Sequence, residues 1–208
     1  MNSRLVKENG QIQEQVWKLG GMYSAALEKI VDWLEKAKAI AENETQHEVI
    51  RLLIDFYRTG DLHTFDAYSI AWLKDTASHI DFVNGFIESY GDPLGMKASW
   101  ESIVDFKDTE ATRRTEIISS QAQWFEDHSP VDVRFKKETV KGVSAKVITA
   151  AILAGDLYPS TAIGINLPNS NWIRSVHGSK SVTIGNLTEA YNCCLLYTSP
   201  SPRDISGS

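Results

Sequence analysis

The chain has 208 residues, of which 42% are hydrophobic and 23% are charged, and its formal net charge is −6. This is the composition of an ordinary globular protein, and the acidic balance excludes nucleic acid as a main partner because phosphate binding needs a basic surface. No apolar run approaches the roughly 18 residues that span a bilayer, so a membrane partner is excluded too. Residues 1–8 lack the apolar stretch of a secretion signal. We therefore expect a cytoplasmic protein, with export of a longer parent chain left open.

Residues 1–78 are predicted to form a helical segment, with helices running from residue 11 to residue 75. Apolar residues recur at three-to-four spacing between Met22 and Ala37, and again from Val49 to Phe56. Gly60 ends that second helix, and Thr64 can cap the next one. Four aromatic side chains of this segment are predicted to belong to its core: Trp17, Trp33, Phe56 and Trp72.

Residues 79–107 are predicted to form a strand, a turn and a second strand. The stretch Phe82–Tyr90 is rich in β-branched and aromatic residues, which favours a strand. Gly91–Gly95 is a turn containing Asp92 and Pro93. A second, shorter strand is predicted around Ser102–Phe106.

Two polar residues at the end of the first strand are candidates for chemistry. Strand alternation predicts that Glu88 and Tyr90 share one face, with Asn84 and Phe86 in phase. A carboxylate beside a phenol can hold an ammonium group and donate a hydrogen bond to a carbonyl oxygen. The alternative is an ordinary exposed strand end, and the residues alone leave both interpretations open.

Residues 108–142 are predicted to be a helix and a loop, with the helix running from Thr109 to about Phe125. Residues 143–192 are predicted to be strand, loop and strand, the second strand lying over Ser160–Ile165. The loop Asn166–Asn169 brings two carboxamides around a proline-fixed turn, which makes a compact group of donors and acceptors. Its alternative interpretation is a turn whose Asn side chains bond their own backbone.

No complete catalytic centre is present in the sequence. His47 and Glu48 begin like the H-E-x-x-H zinc motif, but Arg51 stands where the second histidine is required. The remaining histidines have no partner at helical spacing. No phosphate-binding loop, nucleophile elbow or dinucleotide-binding fingerprint is found.

Residues 193–208 differ from the rest of the chain. They contain a Ser- and Pro-rich run without periodicity, which resembles the translation of a sequencing adapter. We therefore expect a non-native tail and an internal fragment of a longer protein, with a genuine disordered C-terminus as the alternative. Such a fragment is expected to expose apolar faces and to be poorly soluble or partly molten.

The segments Phe82–Gly95 and Gly164–Asn169 together resemble the dipeptidyl peptidase III family in its bacterial form. The likeness extends through most of residues 1–192, including Lys141–Lys146. The resemblance implies an α+β fold, with a helical N-terminal part and strands that belong to a β-barrel-containing substrate lobe. In that family a second, helical lobe carries the zinc, and the peptide lies between the two lobes as an added strand.

The resemblance also implies roles for individual residues. Tyr90 would be the catalytic residue, donating its hydroxyl to the scissile carbonyl. The other implied residues would bind substrate: the free α-ammonium would lie on Glu88, Asn166 and Asn169 with support from Glu101, and the peptide would pair with the backbone of Thr161, Ala162, Ile163 and Gly164.

The sequence therefore predicts the substrate-binding portion of a zinc-dependent dipeptidyl peptidase that releases dipeptides from oligopeptide N-termini. The zinc cofactor and its motif would belong to a missing C-terminal portion of the same chain, which is the expected partner beside the oligopeptide substrate. The fragment alone is predicted to bind no metal and to be inactive. Two alternatives are a non-catalytic protein that binds peptides or amines and a purely structural helical scaffold.

Overall fold

The computed structural model describes residues 1–140, 143–159 and 161–198. Helices and strands are both well represented and only partly segregated along the chain, so the fold is α+β, as predicted. Residues 199–208, most of the predicted non-native tail, lie outside the described part of the chain. Among the described residues, no helix is both long and apolar enough to cross a membrane.

The chain begins with a β-hairpin, which corrects the helical prediction for its first residues. Strand β1 (Ser3–Glu8) pairs antiparallel with β2 (Gln11–Val16). The turn residues Asn9 and Gly10 both have positive φ angles, 51° and 83°, the conformation of a type I′ hairpin turn. The strands are mostly polar and exposed, so the apolar alternation that normally indicates a strand is missing.

Three helices follow, and the second and third are capped by the side chain of the residue that precedes the first turn. They are α1 (Ser24–Lys38), α2 (Glu44–Thr59) and α3 (Leu62–Lys74). The Asn43 side chain accepts a hydrogen bond from the Gln46 N–H, and Asp61 accepts one from the His63 N–H. The predicted cap at Thr64 is therefore wrong, because Asp61 already satisfies the first-turn donor three residues earlier.

The aromatic core contains three of the four predicted side chains. Trp17, Phe56 and Trp72 are buried, whereas Trp33 is 68% exposed and Lys36 lies over its ring. Val31 lies on the buried side of α1, and Trp33 comes two residues later in the helix. Two residues turn a helix by about 200°, so Trp33 faces away from the core and its predicted burial is wrong.

Five strands form one mixed sheet in the order β3-β4-β5-β7-β6, with only β5 and β7 parallel. The described sheet is open, and β3 and β6 are its edge strands. The helix α6 (Asn171–His177) connects β6 to β7. The strands are β3 (Ile80–Glu88), β4 (Ser99–Lys107), β5 (Val143–Gly155), β6 (Gly164–Leu167) and β7 (Ser179–Ile184).

Three predictions for the second half of the chain need correction. The single helix predicted from Thr109 is two helices, α4 (Thr109–Ser119) and α5 (Ala122–His128), because the chain turns between them. The strand predicted from Ser160 begins only at Gly164, and residue 160 is outside the described residues. The simple strand, loop and strand of residues 143–192 also contains α6, β7 and the start of the helix α7 (Gly185–Thr198).

Candidate functional site

A β-bulge at the end of β3 determines which way Glu88 faces. Phe86 pairs with Trp100 and Glu88 pairs with Ser99, so Ile87 is an extra residue in β3. Directly opposed residues share a face, and Ser99 lies two residues from Glu101 on β4. The bulge therefore moves Glu88 to the face of Glu101, which corrects the predicted alternation with Asn84 and Phe86.

Glu101 lies on this face of the sheet between two residues that have no side chain. Its cross-strand partners are glycines, Gly85 on β3 and Gly155 on β5. The residue is only 5% exposed. Burial, and to a smaller extent the charges of Glu88 and Asp156, raise the pKa of its carboxyl from 4.5 to about 7. Three acids thus come together at one end of the sheet.

Tyr90 lies beyond the end of β3 and is 87% exposed. The Glu88 charge, and a smaller effect of desolvation, raise the pKa of its hydroxyl, which also donates a hydrogen bond to Glu88. The following turn is held by Asp92, whose carboxylate accepts hydrogen bonds from the N–H groups of Met96 and Lys97 at 2.8 Å. Tyr90 therefore presents its ring to solvent from a locally ordered turn.

Asn169 approaches the acids from the other edge of the sheet. Its Nδ2 atom donates a hydrogen bond to Oε1 of Glu88 at 2.9 Å, across 81 positions of sequence. Because β3 and β6 are opposite edges of the sheet, the sheet must curl strongly for these side chains to meet. The resulting constellation is three carboxylates, one phenol and one carboxamide.

Asn166 has a different environment. Its Oδ1 atom accepts a hydrogen bond from the Ser181 hydroxyl at 3.5 Å. It lines a polar cleft of about 670 Å³ that also contains Arg174 and Asn171. Among the described hydrogen bonds it makes none with Glu88, so its predicted part in holding the same amine stays a prediction.

The segment Thr161–Gly164 leads into the edge strand β6. On the inner side, the carbonyl of Ile163 accepts a hydrogen bond from the Ile184 N–H at 2.8 Å. On the outer side, β6 has no strand neighbour among the described residues. Ala162, Ile163 and Gly164 are exposed, whereas the Thr161 hydroxyl is buried without a described partner. The backbone edge is open to an added strand.

Sequence reasoning missed Asp156, the third acid of the site. In the sequence, Gly155-Asp156 has only the composition of a turn. The Asp156 N–H donates to the Trp100 carbonyl at 3.0 Å, which fixes this residue at the end of β5 beside Glu101. The feature that could have indicated Asp156 is its position directly after β5, the strand that pairs with the strand of Glu101.

The described residues offer no place for a metal ion. No group of three or more His, Cys, Asp or Glu side chains in the described part of the chain could hold one. The residues described here therefore do not fit the zinc of the family that the sequence resembles. The chemistry available at this site is that of its carboxylates, phenol and carboxamide.

The family model and several curated relatives named dipeptidyl peptidase 3 indicate the family of this chain. The family model described as Peptidase family M49 matches residues 2–198. Dipeptidyl peptidase 3 of Rattus norvegicus is 29% identical over 80% of this chain and 22% of its own length. The protein of the same name from Dictyostelium discoideum is 31% identical over 82% of this chain and 24% of its own length. The chain thus spans about a quarter or less of these relatives.

Two solved structures share the fold. The structure of DPP III from Caldithrix abyssi superimposes with a TM-score of 0.83 and 23% identity, covering 93% of this chain and 37% of that one. The structure of dipeptidyl-peptidase III from Corallococcus sp. strain EGB gives a TM-score of 0.77 and 20% identity over 90% of this chain and 35% of that one.

Proposed function

The chain belongs to peptidase family M49, and from that premise we propose that it is the substrate-binding portion of a zinc-dependent dipeptidyl peptidase. The whole protein would release dipeptides from the N-termini of oligopeptides, with zinc held by residues other than those described here. The observation that carries the proposal is the hydrogen bond from Asn169 to Glu88, which joins both edges of the sheet at one acidic site.

The acids at this site suit a ligand with a positive charge. Within the described part of the chain, Glu88, Glu101 and Asp156 have no ion pair with Lys, Arg or His. Burying unpaired charges is unfavourable, and Glu101 already shows this in its raised pKa. An α-ammonium would offset the repulsion among the acids, while Oδ1 of the Asn169 side chain would accept a hydrogen bond from it.

The open edge of β6 supports the position of the rest of the peptide. An extended peptide adds to such an edge through main-chain hydrogen bonds, which are independent of side-chain identity. With its amine on Glu88, the peptide would run along Thr161–Gly164. Because the amine is held at a fixed place, the peptide bond that follows the second residue of the substrate lies at the reacting position. This accounts for release of dipeptides.

Tyr90 is proposed to stabilise the reacting carbonyl. Its hydroxyl, which donates to Glu88 in the absence of substrate, would donate instead to the carbonyl oxygen of the scissile bond as negative charge develops there. A well-aimed donor of this kind contributes about 2.7–4 kcal/mol to transition-state stabilisation. Bound zinc would supply the activated water. Because this chain has only the incomplete motif at His47, we propose that it binds peptides without hydrolysing them.

Titration calorimetry with tripeptide amides tests the proposal. We expect the full chain to bind a peptide with a free α-amine and to lose at least about tenfold in affinity when that amine is acetylated. Glu88→Gln should weaken binding of the free peptide by a similar factor. Glu116→Gln, on the exposed face of α4, is the matched control and should bind normally. Equal affinity for free and acetylated peptides would contradict the proposal.

A further inference from the structure

A cavity of about 450 Å³ lies between α1 and the β3–β4 part of the sheet. On the sheet side its wall contains Phe82 and Val104, which are cross-strand partners. On the helix side its wall is formed by four apolar residues, Ile30, Trp33, Leu34 and Ala37. A cavity of about 150 Å³ is enough to admit benzene, so this one has room for a larger apolar ligand.

Small side chains on both walls leave this space open. Asn84 and Ser102 are directly opposed on β3 and β4, and across the gap Ala37 contributes only a methyl group. The Nδ2 atom of Asn84 donates a hydrogen bond to the Ser102 hydroxyl at 3.2 Å, and its Oδ1 atom accepts one from the Tyr57 hydroxyl. The amide of the sheet wall is therefore already satisfied by the protein.

The polar groups at the end of the cavity near the α1–α2 connection are also engaged. Both carboxylate oxygens of Glu42 accept backbone hydrogen bonds, from His79 at 2.8 Å and from Ile80 at 2.7 Å. The Gln46 side chain donates to the Ile80 carbonyl and accepts from the Glu42 N–H. Neither side chain needs a partner from a ligand, so burial of apolar surface would dominate binding in the cavity.

One charged side chain of the wall has no ionic partner. Lys29 lines the cavity and is exposed, and in the part of the chain that the structure describes it forms no ion pair. A lysine in this position lays its methylene groups along the apolar wall and keeps its ammonium in water. From Lys29 to Ala37 the wall extends about 12 Å along the axis of α1. The cavity therefore offers a long apolar wall with a positive charge at one end.

We propose that this cavity binds a medium-chain fatty acid, with the alkyl chain between α1 and the sheet and the carboxylate on Lys29. A linear chain suits a cavity that follows one side of a helix, and the Lys29 ammonium complements the carboxylate. Trp33 and Ile40 line the cavity and are largely exposed. An alkyl chain beneath them would cover part of this apolar surface.

The fatty-acid site is separate from the candidate amine site. Successive residues of a strand point to opposite faces of the sheet. Ser102 lines the cavity, so Glu101, which precedes it on β4, belongs to the other face. Filling the cavity should therefore leave peptide binding unchanged, and failure of either proposal would leave the other standing.

Titration calorimetry of the full chain with octanoate, decanoate and decanol tests the proposal. We expect decanoate to bind at least about tenfold more tightly than octanoate, because each buried methylene group tightens binding roughly fourfold. Lys29→Met should weaken decanoate about two- to fivefold and leave decanol unchanged. Lys7→Met, an exposed lysine on the hairpin, is the matched control and should change neither. Equal affinities for octanoate and decanoate, or unchanged decanoate affinity in Lys29→Met, would overturn the proposal.

Filling the cavity provides a second test. Ala37→Leu adds volume inside the cavity, while Ala26→Leu makes the same addition at an exposed position of the same helix. We expect Ala37→Leu to weaken decanoate about tenfold and Ala26→Leu to leave it unchanged, with both variants binding the free-amine tripeptide normally. Circular dichroism shows whether each variant is folded, and the exposed Lys29→Met keeps the test decisive if Ala37→Leu is not. A chain that binds no fatty acid but forms dimers that Ala37→Leu dissociates would overturn the proposal in favour of a second copy of the chain.

Discussion

Glu101 shows how one residue can make the site depend on pH. Burial first, and then the charges of Glu88 and Asp156, raise its pKa from 4.5 to about 7. Ionised Glu101 attracts an ammonium, and protonated Glu101 does not. The amine of a peptide loses its proton at about pH 8. Peptide affinity should therefore rise as pH increases through about 7 and fall again above about 8.

Measuring the dissociation constant of a free-amine tripeptide between pH 5 and pH 9 checks this prediction. Glu101→Gln should flatten the rise near pH 7 and leave the fall near pH 8. An unchanged profile in that variant would show that another group controls the acidic limb. Glu116→Gln again serves as the control, because Glu116 lies on the exposed surface of α4.

The same residue couples pH to stability. A pKa that is higher in the folded state means that folding favours the protonated form. This contribution is complete below pH 4.5 and is lost as pH rises through about 7. We expect Glu101→Gln to raise the free energy of unfolding by about 2 kcal/mol at pH 8 and to change it little at pH 4.5. Urea unfolding at the two pH values measures the difference.

At the scale of elements, a buried charge network links strands that are not neighbours. Nζ of Lys180 on β7 lies 3.0 Å from Oδ2 of Asp81 on β3, and Lys146 on β5 lies 3.6 Å from the same oxygen. Trp72 donates its ring N–H to the other carboxylate oxygen. Lys180 also pairs in register with Leu167. The network therefore ties the strand pair leading to Asn169 to the strand that ends at Glu88.

Removing Lys180 tests how much this link stabilises the fold. Lys180 is fully buried, and breaking one side of a buried ion pair costs about 3–5 kcal/mol. Because Lys146 still faces Asp81, we expect Lys180→Met to lower the free energy of unfolding by about 3 kcal/mol. Lys36→Met, which removes an exposed pair with Asp32, should cost under about 1 kcal/mol. If chemical denaturation showed the same loss of unfolding free energy in both variants, the buried network would not have the stabilising role assigned to it.

Local periodicity was enough to predict the elements that have one apolar face. The helices α1 to α3 and the strand β3 carry clear apolar patterns and form where expected. The hairpin β1–β2 was not predicted because its strands are polar. The sequence feature that indicates it is the turn at Asn9-Gly10. The resemblance indicated Glu88 and Asn169, which lie within hydrogen-bond distance. The bulge at Ile87 and the approach of Asp156 depend on pairing between strands, which no local pattern encodes.

At the scale of the whole molecule, the α4–α5 region carries an unusually apolar surface. Ile118 and Phe125 are 61% and 51% exposed and line one hollow together with Val140. Trp124 packs against Phe125 with 5.2 Å between the ring centroids and is itself 52% exposed. Contiguous apolar surface of this kind promotes association, whereas isolated exposed apolar side chains are ordinary.

We therefore expect the purified chain to self-associate through this surface as its concentration rises. Replacing Ile118 and Phe125 together by Asp should shift the protein towards monomer, because each charge would have to be desolvated on association. The matched control replaces Leu5 and Ile12 by Asp, since both lie on the exposed hairpin at 72% and 74% exposure. Sedimentation velocity over a wide concentration range distinguishes the variants. A wild-type chain that stays monomeric throughout, or a hairpin variant that dissociates equally well, would contradict the assignment of this surface.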